Sequence, residues 1–230
     1  MRRFVITGLI LSAISAPAFA AIQFTSYQLA PNYVADTVLW GQLELGTLTP
    51  QTFSATSVNS LSVNGAFANN GGGTTCEVAT NLICIWPQAA GFSLNEILLW
   101  AENPSNTGSG PLTLTFLPQF GGGAYLQSAG DLQFSAQLKA FNGNTLLGSN
   151  TVTSDALGNP LFFGVVDTTQ EITGLEFSMT YCNSTVVACD ATDFVIGTLT
   201  LYNGTPEPST LLLTLGSLAA LAFARGKFQK

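Results

Sequence analysis

Between Gln133 and Phe141 the chain alternates strictly: Phe134, Ala136, Leu138 and Ala140 share one parity, and Ser135, Gln137 and Lys139 the other. The alternation recurs where Leu175, Phe177, Met179 and Tyr181 are separated by Glu176, Ser178 and Thr180. A repeat of two places each set on one face of a strand, so both segments predict half-buried strands, with Tyr181 facing inward. Asn142-Gly143 stands between Phe141 and the run Leu146 to Val152. Asn and Gly tolerate the positive φ that both central residues of a tight turn need, which predicts a hairpin there. Further strands are predicted at 22–27, 38–44, 53–63, 82–86, 97–100, 112–116, 161–166 and 194–201. Gly71-Gly72-Gly73 and Gly121-Gly122-Gly123 read as loops. No long helical periodicity occurs between Ala21 and Gly204. Roughly ten short strands over residues 21–203 predict an all-β domain, an antiparallel β-sandwich or jelly roll.

The two ends depart from this pattern. Met1-Arg2-Arg3 precedes the apolar run Phe4 to Ile14, then Pro17 and the small-residue site Ala18-Phe19-Ala20 before Ala21. This order predicts a signal helix over residues 1–20, removed by signal peptidase at Ala20/Ala21. At the other end, Pro206-Glu207-Pro208 leads into an uncharged, mostly apolar run from Leu211 to Ala224. Arg225, Lys227 and Lys230 follow as a basic tip. Residues 209–224 predict a transmembrane helix of marginal length, since about 16 residues rise only ~24 Å against a ~30 Å hydrocarbon core.

The order Pro-Glu-Pro, apolar helix, basic tip resembles the PEP-CTERM sorting signal of proteins exported by Gram-negative bacteria. The resemblance implies that residues 204–230 are a sorting tail, that Pro206, Glu207 and Pro208 are its recognition motif, and that an exosortase-type enzyme processes it. The body adds to the likeness. A hairpin Phe141-Asn142-Gly143-Asn144-Thr145-Leu146-Leu147-Gly148 precedes Phe162-Phe163-Gly164-Val165, then Ile172-Thr173-Gly174-Leu175-Glu176-Phe177 and Asp193-Phe194-Val195-Ile196. That succession resembles the β-sandwich domain common in PEP-CTERM proteins, over about Pro111 to Leu201. It implies a protein of the cell surface or extracellular matrix, anchored at the inner membrane during sorting and associated with exopolysaccharide.

Composition removes most other functions. Charged residues make up 8% of the 230. Between Ala21 and Thr205 there is one basic residue, Lys139, against twelve acids. Such a body repels phosphate backbones, which excludes nucleic acid as a partner. The chain has no His. The commonest general base, the Ser-His and Cys-His nucleophile pairs and the commonest metal ligand are therefore missing. With one Lys and no Arg in the body, phosphoryl-transfer clamps are missing too. A non-enzymatic protein without cofactor is the expectation.

Four cysteines lie in two close pairs, Cys76 with Cys84 and Cys182 with Cys189. In an exported chain an even count reads as disulfides, and local pairing is preferred because each pair flanks a loop. Asp190 and Asp193 are candidate Ca²⁺ ligands beside a strand start, with turn capping as the competing role. Trp40, Trp86 and Trp100, with Tyr125 and Tyr181, form a candidate aromatic platform for sugars, and Trp86 is the candidate for glycan contact. This gives the alternative of a membrane-anchored carbohydrate-binding module. A remoter alternative is a glycosidase using two carboxylates, for which Glu96 and Glu102 flank Trp100.

Overall fold

The computed structural model describes residues 22–44, 48–69, 71–78, 85–86, 91–102, 108–130, 132–183 and 190–204. The strands in chain order are β1 (Gln23–Thr25), β2 (Val34–Val38), β3 (Leu48–Thr49), β4 (Thr52–Thr56), β5 (Ser62–Phe67), β6 (Gly73–Val78), β7 (Ile85–Trp86), β8 (Ile97–Trp100), β9 (Leu112–Gln119), β10 (Gly121–Ser128), β11 (Phe134–Asn142), β12 (Thr145–Thr153), β13 (Leu161–Val166), β14 (Ile172–Cys182), β15 (Phe194–Ile196) and β16 (Leu199–Tyr202). The larger sheet runs β1-β13-β10-β15-β8-β6-β3, with β16 beside β10, β2 beside β16 and β7 beside β6. The smaller runs β12-β11-β14-β9-β5-β4. Pairing is antiparallel except between β6 and β7.

One core joins the two sheets. Leu112, Leu114, Phe134, Leu138, Leu175 and Phe177 come to it from the smaller sheet, and Ala124, Leu126, Phe163, Val165, Ile196 and Leu201 from the larger. All twelve are at most 1% exposed. The two sheets differ on their outer faces. The smaller turns Ser135, Gln137, Lys139 and Glu176 outward, and Lys139 pairs there with Glu176 at 2.7 Å. The larger is buried on both faces in its middle. Phe92, Leu98 and Val195 form a second apolar cluster, and Leu29, Phe162, Val166 and Tyr202 a third.

The expected sandwich fold class is corrected in its flanking helices. Among the described residues no helix is long and apolar enough to cross a membrane. The helical elements there are 3-10 turns of three and four residues, Pro31–Tyr33 and Trp40–Leu43. The signal segment 1–20, with Ala18 and Ala20, and the neighbouring Ala21 lie outside the described residues, as do Pro206, Glu207, Pro208 and the run 209–224.

Five local expectations also change. Tyr181 is half exposed rather than inward. Ser135 pairs with Tyr181 and Ala136 with Met179, so Thr180 is an extra residue, and this bulge reverses the alternation beyond it. The run 38–44 is not one strand: β2 stops at Val38 and a 3-10 turn begins at Trp40, whose indole N–H donates to the Gly197 carbonyl at 2.8 Å. The run 53–63 divides into β4 and β5, turned at Ser57 to Leu61. The Ser57 hydroxyl donates to Asp36 there, and Asn59 N–H reaches the same carboxylate at 3.0 Å. Gly121-Gly122-Gly123 opens the central strand β10 rather than forming a loop. A Cβ on Gly123 would stand 2.6 Å from Gly164 Cα, and one on Gly121 would collide with the Val165 carbonyl oxygen. The glycines let β13 and β10 approach closely. The hairpin forms as expected, but Asn142 pairs with Thr145, leaving Gly143-Asn144 as the loop with Gly143 at φ 56°. A glycine alone at positive φ in the first loop position is a type II′ arrangement, one residue later than the Asn-Gly pattern predicts.

Candidate functional site

Two places gather polar chemistry. The first is a corner where β8 ends and β15 begins. Trp100 is the last residue of β8, paired with Val195 across the ladder. Its indole N–H donates to Asp193 Oδ1 at 2.5 Å. Asp190 begins a tight turn: its Oδ1 accepts from Thr192 N–H at 2.8 Å and from the Thr192 hydroxyl at 2.6 Å. Its Oδ2 accepts from Gly108 N–H at 3.1 Å, and Asp193 N–H returns to the Asp190 carbonyl at 3.0 Å. Glu102 joins from the other side, bridged through its backbone to Gly108.

The electrostatics of this corner disfavour charge on two of its three carboxyl groups. Burial, with the Asp193 charge added, pushes Glu102 up to about 7. Burial also raises Asp193 to about 6, with the Trp100 hydrogen bond opposing and Asp190 adding repulsion. Asp190 is lowered: burial works against the shift, but the hydrogen bonds from Thr192 and Gly108 outweigh it. Among the described residues no group of three or more His, Cys, Asp or Glu side chains could hold a metal ion. Of the candidate Ca²⁺ ligands, Asp190 spends both carboxylate oxygens on protein donors, and Asp193 spends Oδ1 on the Trp100 indole. Turn capping is the role that geometry supports.

The carboxylate pair of the remoter glycosidase alternative, Glu96 and Glu102, is not brought together. They bracket the extended β8, and six residues at ~3.3 Å each set them ~20 Å apart, against the ~5–9.5 Å that a glycosidase pair needs. Glu102 meets Asp193 instead, a partner 91 positions away that no local motif announces.

Glu96 belongs to the second place, a cleft of about 370 Å³ on the outer face of the larger sheet. Tyr125, Phe162, Glu96, Thr198, Thr200 and Gln28 are among the residues that line it. The Glu96 carboxylate is held by three donors. Oε1 accepts from Thr198 N–H at 2.8 Å and the Thr198 hydroxyl at 3.0 Å, and Oε2 from Ser93 N–H at 2.8 Å.

The expected aromatic platform is dispersed. Trp40 is fully buried, edge-on to Phe53 with ring centres 6.3 Å apart. Trp100 serves the acidic corner, Tyr125 the cleft, and Tyr181 stands on the smaller sheet. The Trp86 backbone pairs with Val78, while its side chain lies outside the described residues. Cys76 and Cys182 are each disulfide-bonded. Cys84 and Cys189, their expected partners, lie outside the described residues.

No family profile matches the sequence, and no curated protein matches it. Among solved structures, a DUF4465 family protein from Bacteroides caccae is similar at 10% identity and a TM-score of 0.40. The likeness covers 77% of this chain and 98% of that one, and at that level it carries no argument about function.

Proposed function

We propose that the chain is an exported, non-enzymatic β-sandwich protein of the cell surface or extracellular matrix that works in contact with exopolysaccharide. Signal peptidase acts at Ala20/Ala21, and an exosortase-type enzyme acts near Pro206-Glu207-Pro208. Two local disulfides, Cys76–Cys84 and Cys182–Cys189, staple its loops. The observation that carries this proposal is the bonded state of Cys76 and Cys182. Disulfides persist in oxidising compartments and are rare in a reducing cytosol. A body with Lys139 as its one basic residue adds support, because it has little to offer a nucleic acid or an anionic substrate.

The test is a triple alanine replacement at Pro206, Glu207 and Pro208 in the native host. The wild-type chain is expected in the medium or outer fraction, and the variant retained with the cell in unprocessed form. Equal release of both would overturn the sorting proposal.

A further inference from the structure

We propose that the cleft on the outer face of the larger sheet binds a neutral pyranose unit. This rests on the exopolysaccharide proposal above and names the site for it. The cleft offers three kinds of surface together. Tyr125 lines it, its ring held edge-on by Phe162 at 5.3 Å and by Phe92 at 6.5 Å between ring centres. Glu96 is a second lining residue. An ionised carboxylate has about four lone-pair sites, and three are filled by Thr198 and Ser93. The group is thus fixed in place with acceptor capacity left over on Oε2. Gln28 is a third, and its amide donates to the Thr200 hydroxyl at 3.3 Å.

The loop that bears Glu96 is preformed. Val78 N–H donates to the Glu96 carbonyl at 3.0 Å and Asn95 N–H to the Val78 carbonyl at 3.3 Å. Asn95 turns the chain with φ 65°, a conformation that Asn tolerates better than most residues. A ligand therefore meets walls that need little ordering, which favours binding.

Elimination then names the ligand class. A phosphate or uronate would meet a carboxylate and no cation among the lining residues. A divalent ion needs six to eight oxygens, and the cleft supplies one carboxylate. A wholly apolar ligand would cover the acceptor capacity left on Glu96 and the remaining amide proton of Gln28 without satisfying either. A pyranose donates hydroxyl protons to the carboxylate, accepts from the amide and hydroxyls, and lays a C–H face on the ring. The volume falls within the ~300–1,000 Å³ usual for small-ligand pockets.

Calorimetric titration of the purified protein tests this, with cellotetraose, laminaritetraose and maltotetraose as neutral probes and tetragalacturonate as the anionic one. At least one neutral probe is expected to bind at millimolar concentration or below, and tetragalacturonate more weakly. Glu96→Gln exchanges a charged acceptor for a neutral one and is expected to weaken binding about tenfold. Gln28→Ala removes an exposed side chain that the fold does not need, and is expected to weaken it several-fold. Asn64→Ala, on the smaller sheet, is expected to change nothing. The site is overturned if no neutral probe binds at millimolar concentration, if neither cleft variant weakens binding, or if tetragalacturonate binds as well. Saccharide binding with an unprocessed tail would sink the sorting proposal alone; processing without binding would sink the site alone.

Discussion

Replacing Asp193 by Asn puts the acidic corner to a quantitative test. The Asn carbonyl oxygen can still accept from the Trp100 indole, so the substitution removes charge and keeps the contact. Asp193 is raised from 3.8 to about 6, chiefly by burial, and Glu102 from 4.5 to about 7. Both folded values lie above the unfolded ones, so the folded chain binds more protons between about pH 4 and pH 7. Stability from these two groups is therefore greatest below about pH 4, falls as pH rises, and is lost once pH has passed the folded values of about 6 and about 7. Two units on Asp193 correspond to a ceiling of ~3 kcal/mol. Asp193 keeps part of its surface in water, and solvent screening reduces this to about 1–2 kcal/mol. Asp193→Asn is thus expected to stabilise the protein by about 1 kcal/mol near pH 8, and to be nearly neutral near pH 3.5, below the unfolded value. Urea unfolding followed by tryptophan fluorescence across that range gives both numbers. Equal destabilisation at both pH values would refute the reasoning, because it would mean that the carboxylate charge is favourable in place.

Gly123→Ala drives a methyl group to 2.6 Å from Gly164 Cα and is expected to cost ~3 kcal/mol or more, read as a lowered urea midpoint. Lys139→Met removes an ion pair on an outer face and is expected to cost under ~1 kcal/mol, less at high salt, in the same assay. Non-reducing peptide mapping is expected to link Cys76 with Cys84 and Cys182 with Cys189. Reduction of each small loop is expected to cost about 2–3 kcal/mol.

What could be read from the sequence was local and periodic. Phe134, Ala136, Leu138 and Ala140 all reach 0% exposure because nothing interrupts their alternation. The same rule fails at Tyr181 because one inserted residue, Thr180, reverses every position beyond it. A bulge carries no composition of its own. Three successive glycines look like a loop to any local rule, yet in β10 they answer to β13 and β16, strands distant in sequence. The candidate sites divide in the same way. Asp190 and Asp193 are three residues apart and their turn was legible. Glu102 against Asp193, and Glu96 against Thr198, are pairings made by the sheet order and by nothing nearer.

The most direct test of export and processing is intact-mass spectrometry of the protein from its native host, separated into membrane and medium fractions. A chain running from Ala21 to near Pro208 and recovered outside the cell, with four fewer hydrogens than the reduced sequence, is the predicted result. A chain that still ends at Lys230 in the membrane fraction, or one with free thiols, would contradict it.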